Sequence, residues 1–172
     1  VYALRMVDEQ KQAAAEAAVM RITEGMVVGL GSGSTAELAV KALGRRVRAG
    51  LRVVGIPSSE RTAALARAEG IELTTLDEQP VIDVTVDGAD EVELGTLNLT
   101  KGLGGALLRE KIVASASRQL WIMVDASKLV ERLATRAPVP VEVVPFGWRS
   151  TAGWLEALGA RAVKRDFVTD GG

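Results

Sequence analysis

A short apolar run, Met26-Val27-Val28-Gly29-Leu30, feeds directly into Gly31-Ser32-Gly33-Ser34-Thr35. Beyond that turn Ala36, Leu38, Ala39, Ala42 and Leu43 recur at helical spacing. Strand, glycine-rich turn and helix in this order constrain the fold more than any other feature of the chain, because the returning helix must deliver the next strand parallel to the first. The pattern then repeats. Leu51 to Ile56 reads as a strand, Pro57-Ser58-Ser59 as a turn, and Glu60 to Glu69 as a helix stopped by Gly70. Further strands are expected over Glu72 to Leu76 and Val81 to Val86. The second is rich in Val and Ile with one interior acid, Asp83, as suits a central parallel strand with Asp83 near an edge or partnered. The class implied is α/β, with a doubly wound, mostly parallel sheet.

Before this core, Asp8 to Glu24 reads as a helix capped by Asp8 and ended by Gly25. After the loop containing Asp87 and Asp90, Leu97 to Leu99 reads as a short strand, Ala106 to Ala116 as a helix opened by Gly104-Gly105, and Trp121 to Val124 as another strand. Two prolines in Ala137-Pro138-Val139-Pro140 interrupt helix and central strand alike. This places a boundary between a catalytic domain, residues 1–136, and a second, smaller α/β domain, residues 137–172. That second unit would hold Val141 to Val144, a helix around Arg149 to Leu158, and short strands near Ala162 and Phe167. Because Asp170-Gly171-Gly172 is a turn signal with no strand after it, the smaller domain is expected to be incomplete.

Composition narrows the chemistry. The 172 residues contain no cysteine and no histidine, so thiolate chemistry and imidazole catalysis are excluded, and proton transfer must use carboxylates or lysine. A formal net charge of −1, with acids and bases interspersed, offers no general field for nucleic acid or an anionic membrane. No apolar stretch approaches the roughly 18 to 20 residues that span a bilayer. The cytoplasm is the expected compartment.

Four clusters at the ends of successive strands carry candidate chemistry. The Gly29 to Thr35 turn sits between strand and helix, where free backbone N–H groups favour a phosphate. Its possible ligands are a dinucleotide, a nucleoside triphosphate or a small phosphate ester, against a plain tight turn. A dinucleotide site wants glycine where Ser34 stands and an acid after the next strand, and Pro57-Ser58-Ser59 supplies none; a triphosphate loop needs Gly-Lys-Ser/Thr, which is absent. A small phosphate ester held by backbone amides and the Ser32, Ser34 and Thr35 hydroxyls remains. Asp87 and Asp90, in Val86-Asp87-Gly88-Ala89-Asp90-Glu91, follow a buried strand, where ligands bind in open α/β sheets, although aspartates there also simply form turns. Lys101-Gly102-Leu103-Gly104-Gly105-Ala106 frees backbone amides for close approach, and Arg109-Glu110-Lys111 adds a carboxylate one turn inside the next helix. The set supplies parts for proton transfer beside a carbonyl, with no metal required.

Order and spacing of these clusters resemble the ribose-5-phosphate isomerase A family. The resemblance runs through Gly31-Ser32-Gly33-Ser34-Thr35, Asp87-Gly88-Ala89-Asp90-Glu91, Lys101 to Ala106, Arg109-Glu110-Lys111 and Asp125-Ala126-Ser127-Lys128. It continues through Pro138-Val139-Pro140-Val141-Glu142-Val143 with Pro145, and Thr169-Asp170. Ser32 replaces the threonine common in the family, which keeps the hydroxyl. The resemblance implies a Rossmann-like main domain and a cofactor-free aldose–ketose isomerase of the non-oxidative pentose phosphate pathway, with its small domain in oligomer contacts, as a homodimer or homotetramer. It implies Glu110 as general base, Asp87, Asp90 and Lys101 around the sugar oxygens, and Lys11, Ser32, Gly33, Ser34, Thr35 and Lys128 around the phosphate. Family members continue past the Thr169-Asp170 turn. The competing readings are a non-catalytic sugar-phosphate sensor on the same fold, and an amino-sugar phosphate deaminase or coenzyme A transferase; lack of histidine weighs against the deaminase.

Overall fold

The computed structural model describes residues 2–166. Its strands are β1 (Val27–Leu30), β2 (Val54–Pro57), β3 (Glu72–Leu73), β4 (Val84–Asp87), β5 (Glu91–Glu93), β6 (Leu99–Thr100), β7 (Leu120–Ile122) and β8 (Leu129–Val130). Its helices are α1 (Tyr2–Val19), α2 (Ser34–Arg48), α3 (Glu60–Ala68), α4 (Leu107–Ser115) and α5 (Trp148–Ala157). Five strands form a parallel sheet in the order β3-β2-β1-β4-β7. The chain winds outward from β1 to β3, then crosses back to β4 on the other side of β1. The switch point lies between β1 and β4, where the carboxyl ends of adjacent strands diverge into a crevice.

Register explains the two layers. Val28 and Leu30 of β1 lie beside Val84 and Val86 of β4, and all four are buried on one face against Ala15 and Val19 of α1, Ala39, Val40 and Leu43 of α2, and Ala66 of α3. Alternate residues face α4, with Ile56, Ile82 and Val113 buried together there. Gly29 makes that contact close: a Cβ on it would stand 1.8 Å from Thr85 Oγ1 and 2.8 Å from Val113 Cγ1. The interior acid Asp83 is partnered as expected, its carboxylate accepting from the Val27 N–H at 2.9 Å and pairing with Arg118 at 2.9 Å.

Several boundaries differ from the sequence expectation. α1 begins at Tyr2, so Asp8 lies inside the helix and caps nothing; an Arg5–Glu9 pair one turn apart supports this earlier start. The helix also ends at Val19 rather than Glu24, and Arg46 from α2 donates to the carbonyls of Val19 and Ile22, closing the last turn from outside. The strand expected over Leu97 to Leu99 is displaced to β6: Leu97 has φ +60° and belongs to the turn that joins β6 to β5. Val141 to Val144 and the stretch around Ala162 form no strand, since neither has a neighbouring strand to pair with among the described residues. The strand expected near Phe167 and the Thr169-Asp170 turn lie outside the described residues.

A second sheet, β6-β5-β8, was not anticipated. β5 pairs antiparallel with β6 and parallel with β8. Its strands of two or three residues are too short to carry a periodic signal.

Candidate active site

The small sheet gathers the charged loops. Asp90 immediately precedes β5 and Lys101 immediately follows β6; pairing of Glu91 with Thr100, and the Asp90 N–H donated to Thr100 O at 2.8 Å, bring the two side by side. Lys128 closes the 3-10 turn before β8, so pairing of Val92 with Leu129 carries it to the same edge. Glu91 fastens the far side. Its buried carboxylate accepts the backbone N–H groups of Ala134, Arg136 and Ala137, and Arg136 donates to the carbonyl of Ser127 within the Lys128 turn.

At the centre lies Lys101, whose side chain is 13% exposed. Its ammonium stands 2.9 Å from Asp87 Oδ2 and 3.3 Å from Glu110 Oε1, and donates to Gly88 O at 2.6 Å. Asp87 is the last residue of β4 and fully enclosed. Its Oδ1 accepts the N–H groups of Ser32 and Gly88, which joins the glycine turn to the end of the strand. Gly31 makes this possible: a Cβ there would fall 2.2 Å from Asp87 Oδ1. Asp90 Oδ2 accepts the Leu103 N–H at 3.0 Å and so shapes the Gly102–Gly105 loop.

Glu110 enters from the first turn of α4 and is 6% exposed. Burial, and then the negative charge of Asp87, push its pKa from the usual 4.5 up to about 7, against the attraction of Lys101. Burial likewise raises the Asp87 pKa, with Lys101 opposing. Two carboxylates thus share one cation at the base of a cavity of about 320 Å³.

The cavity's other wall is the turn between β1 and α2. Gly33 caps α2 with φ +97° and offers no side-chain oxygen to the first-turn N–H groups, an arrangement that suits an incoming anion. Ser34, Thr35 and Lys128 line the same cavity. The Ser32 hydroxyl is turned into a network with Ser58 (2.9 Å), Ser59 (2.9 Å) and Thr62 (3.3 Å), which ties this turn to the start of α3. Ser59 caps α3 and Thr62 donates to Gly31 O at 3.0 Å.

Of the expected site residues, Asp90, Lys101, Glu110, Ser32, Gly33, Ser34, Thr35 and Lys128 line this single cavity, with Asp87 bonded directly beneath Lys101. Lys11 does not line it. Lys11 lies beside Asp125, whose carboxyl is buried but held below the usual range by hydrogen bonds from Ser127 and the charges of Lys11 and Lys128. Sequence reasoning missed Ser58, Ser59 and Thr62, and also Glu37 and Arg61 at the mouth. The Ser59 cap and its partner three residues on were readable as a helix start; their bond to Ser32 was not.

A helix amino end with uncapped N–H groups, facing a desolvated carboxylate and a lysine across a parallel-sheet crevice, defines an enzyme that binds a small anionic substrate and moves protons on it. The sequence pattern described as ribose 5-phosphate isomerase A (phosphoriboisomerase A) matches residues 54–172. Ribose-5-phosphate isomerase A of Gloeobacter violaceus is 63% identical over 170 residues, covering 96% of this chain and 74% of that protein. The solved structure of ribose 5-phosphate isomerase A from Methanocaldococcus jannaschii superposes with a TM-score of 0.93 at 43% identity, covering 95% of this chain and 76% of that one. A D-ribose-5-phosphate isomerase in complex with phospho-erythronic acid superposes with a TM-score of 0.90 at 41% identity, over 94% of this chain and 71% of that one. The chain belongs to the ribose-5-phosphate isomerase A family.

Proposed function

We propose that the protein interconverts D-ribose 5-phosphate and D-ribulose 5-phosphate through an enediolate, with Glu110 as the base. The observation that carries this is the Glu110 carboxyl, desolvated to a pKa of about 7 and 3.3 Å from the Lys101 ammonium. A base poised near neutrality takes a carbon-bound proton most effectively while still able to return it. A sensor that only bound sugar phosphate would have no use for so costly a buried acid.

With the phosphate on the amino end of α2 and on Lys128, the open-chain sugar extends toward Lys101. Glu110 removes the C2 proton, and the electron pair moves through C1–C2 onto the carbonyl oxygen O1. Lys101 stabilises the resulting oxyanion in a water-poor setting, where one such donor contributes on the order of 3 kcal/mol. The O2 proton passes to O1, with Asp90 positioned to relay it, and Glu110 returns its proton to C1. No atom is gained or lost. Asp87, enclosed beneath the lysine, holds the Lys101 ammonium in place at 2.9 Å. The neighbour's ligand supports this reading, since a carboxylate spreads charge over two oxygens as an enediolate does.

The compartment proposed is the cytoplasm, where a phosphorylated sugar is retained; among the described residues no helix is long and apolar enough to cross a membrane. We place a domain boundary near residue 137 and read the assembly as a homodimer or homotetramer. Exposed apolar residues beyond that point, Phe146 at 95% among them, support contacts made there. The test is direct: the chain should convert ribose 5-phosphate to the ketose in the presence of a chelator, with kcat/KM rising through about pH 7 to a plateau. Binding without turnover would refute the assignment.

A further inference from the structure

Glu37 stands one turn into α2 and lines the cavity beside Ser34 and Thr35, so an anionic side chain faces the seat of an anionic ligand. Its Oε1 is held 2.7 Å from Nη2 of Arg61, on the first turn of α3. The Arg61 side chain is 80% exposed and that of Glu37 22% exposed. A pair this open contributes little to stability, so its consequence lies in the electrostatic potential at the cavity mouth. The backbone carrying Arg61 is fixed to the phosphate turn, since Ser59 and Thr62 on either side of it bond to the Ser32 hydroxyl.

We propose that Arg61 sets the affinity for the sugar phosphate: by neutralising Glu37 it removes a negative field that would otherwise oppose a dianion at the amino end of α2. The inference rests on the reading that the phosphate sits there. With Arg61 in place, Glu37 no longer counters the attraction of Lys128, which lines the same cavity, for the phosphate. Without it, Glu37 cancels much of that attraction. Both side chains lie away from Lys101 and Glu110 in role: they act on binding and leave the proton-transfer groups untouched.

Steady-state kinetics with ribose 5-phosphate, and competitive inhibition by inorganic phosphate, test this on Arg61→Ala, Glu37→Gln and the double variant. Arg61→Ala should raise both KM and the phosphate inhibition constant about tenfold, with kcat within about twofold, as an uncompensated carboxylate in the same cavity repels a dianion. The defect should shrink with added salt. Adding Glu37→Gln should restore both constants to within about twofold of the parent, which a structural role for Arg61 would not produce. An unchanged KM in Arg61→Ala, or a double variant as weak as the single one, overturns the proposal; the second outcome makes Arg61 a direct phosphate ligand. Ser34→Glu separates the underlying reading, because a carboxylate at this exposed first-turn position should abolish inhibition by phosphate. Undiminished inhibition there removes the phosphate seat itself, whatever Arg61→Ala does.

Discussion

Replacing Glu110 by Gln should make the protein inactive and more stable at the same time. In the folded chain the Glu110 carboxyl has a pKa of about 7 against a usual 4.5, because burial and the Asp87 charge disfavour its ionised form more than Lys101 favours it. Such a raised pKa means that folding holds the proton more tightly than the unfolded chain does. Its stabilising contribution is complete below pH 4.5 and is lost as the pH climbs through about 7. The difference amounts to roughly 3 kcal/mol, or about 2 after partial solvent screening is allowed for. Gln has the shape of the protonated acid and cannot ionise. Urea unfolding of the two proteins should therefore coincide below pH 4.5 and diverge by about 2 to 3 kcal/mol at pH 8, the variant being the more stable. Turnover at pH 8 should fall by about 10² to 10⁴ with binding retained. Parallel stability curves over the whole pH range would refute the desolvation of Glu110, and a near-normal rate would refute its role as base.

Lys101→Met should lower kcat by about 10² to 10³, as loss of one oxyanion donor does; it should also move the lower pH limb of kcat/KM above pH 7, because the cation that opposes protonation of Glu110 is gone. A limb that stays in place would show that Lys101 does not reach Glu110 in solution. Gly31→Ala forces a methyl group to within 2.6 Å of three Asp87 atoms and should destabilise by about 1 to 3 kcal/mol while removing most activity, read by thermal unfolding and turnover.

The alternation of apolar runs, glycine turns and helices was enough to foresee the parallel sheet, because each of those signals is local and the right-handed return of the chain does the rest. The same holds for Asp87, since a position at the carboxyl end of a buried strand marks a ligand site before any contact is known. Distances of two to four residues could not reveal what depends on distant partners. Arg46 ends α1 from another helix, and Ser32 spends its hydroxyl on Ser58, Ser59 and Thr62 across the sheet. β5, β6 and β8 are stable only as a set, so their strands show no periodicity of their own, yet it is their pairing that sets Asp90, Lys101 and Lys128 at one edge. Residue types along the chain thus announced a carboxylate, a lysine and a phosphate turn. The pKa of Glu110 is a property of the space around it, and that space exists only after α4, the end of β4 and the glycine loop have closed together and driven water away.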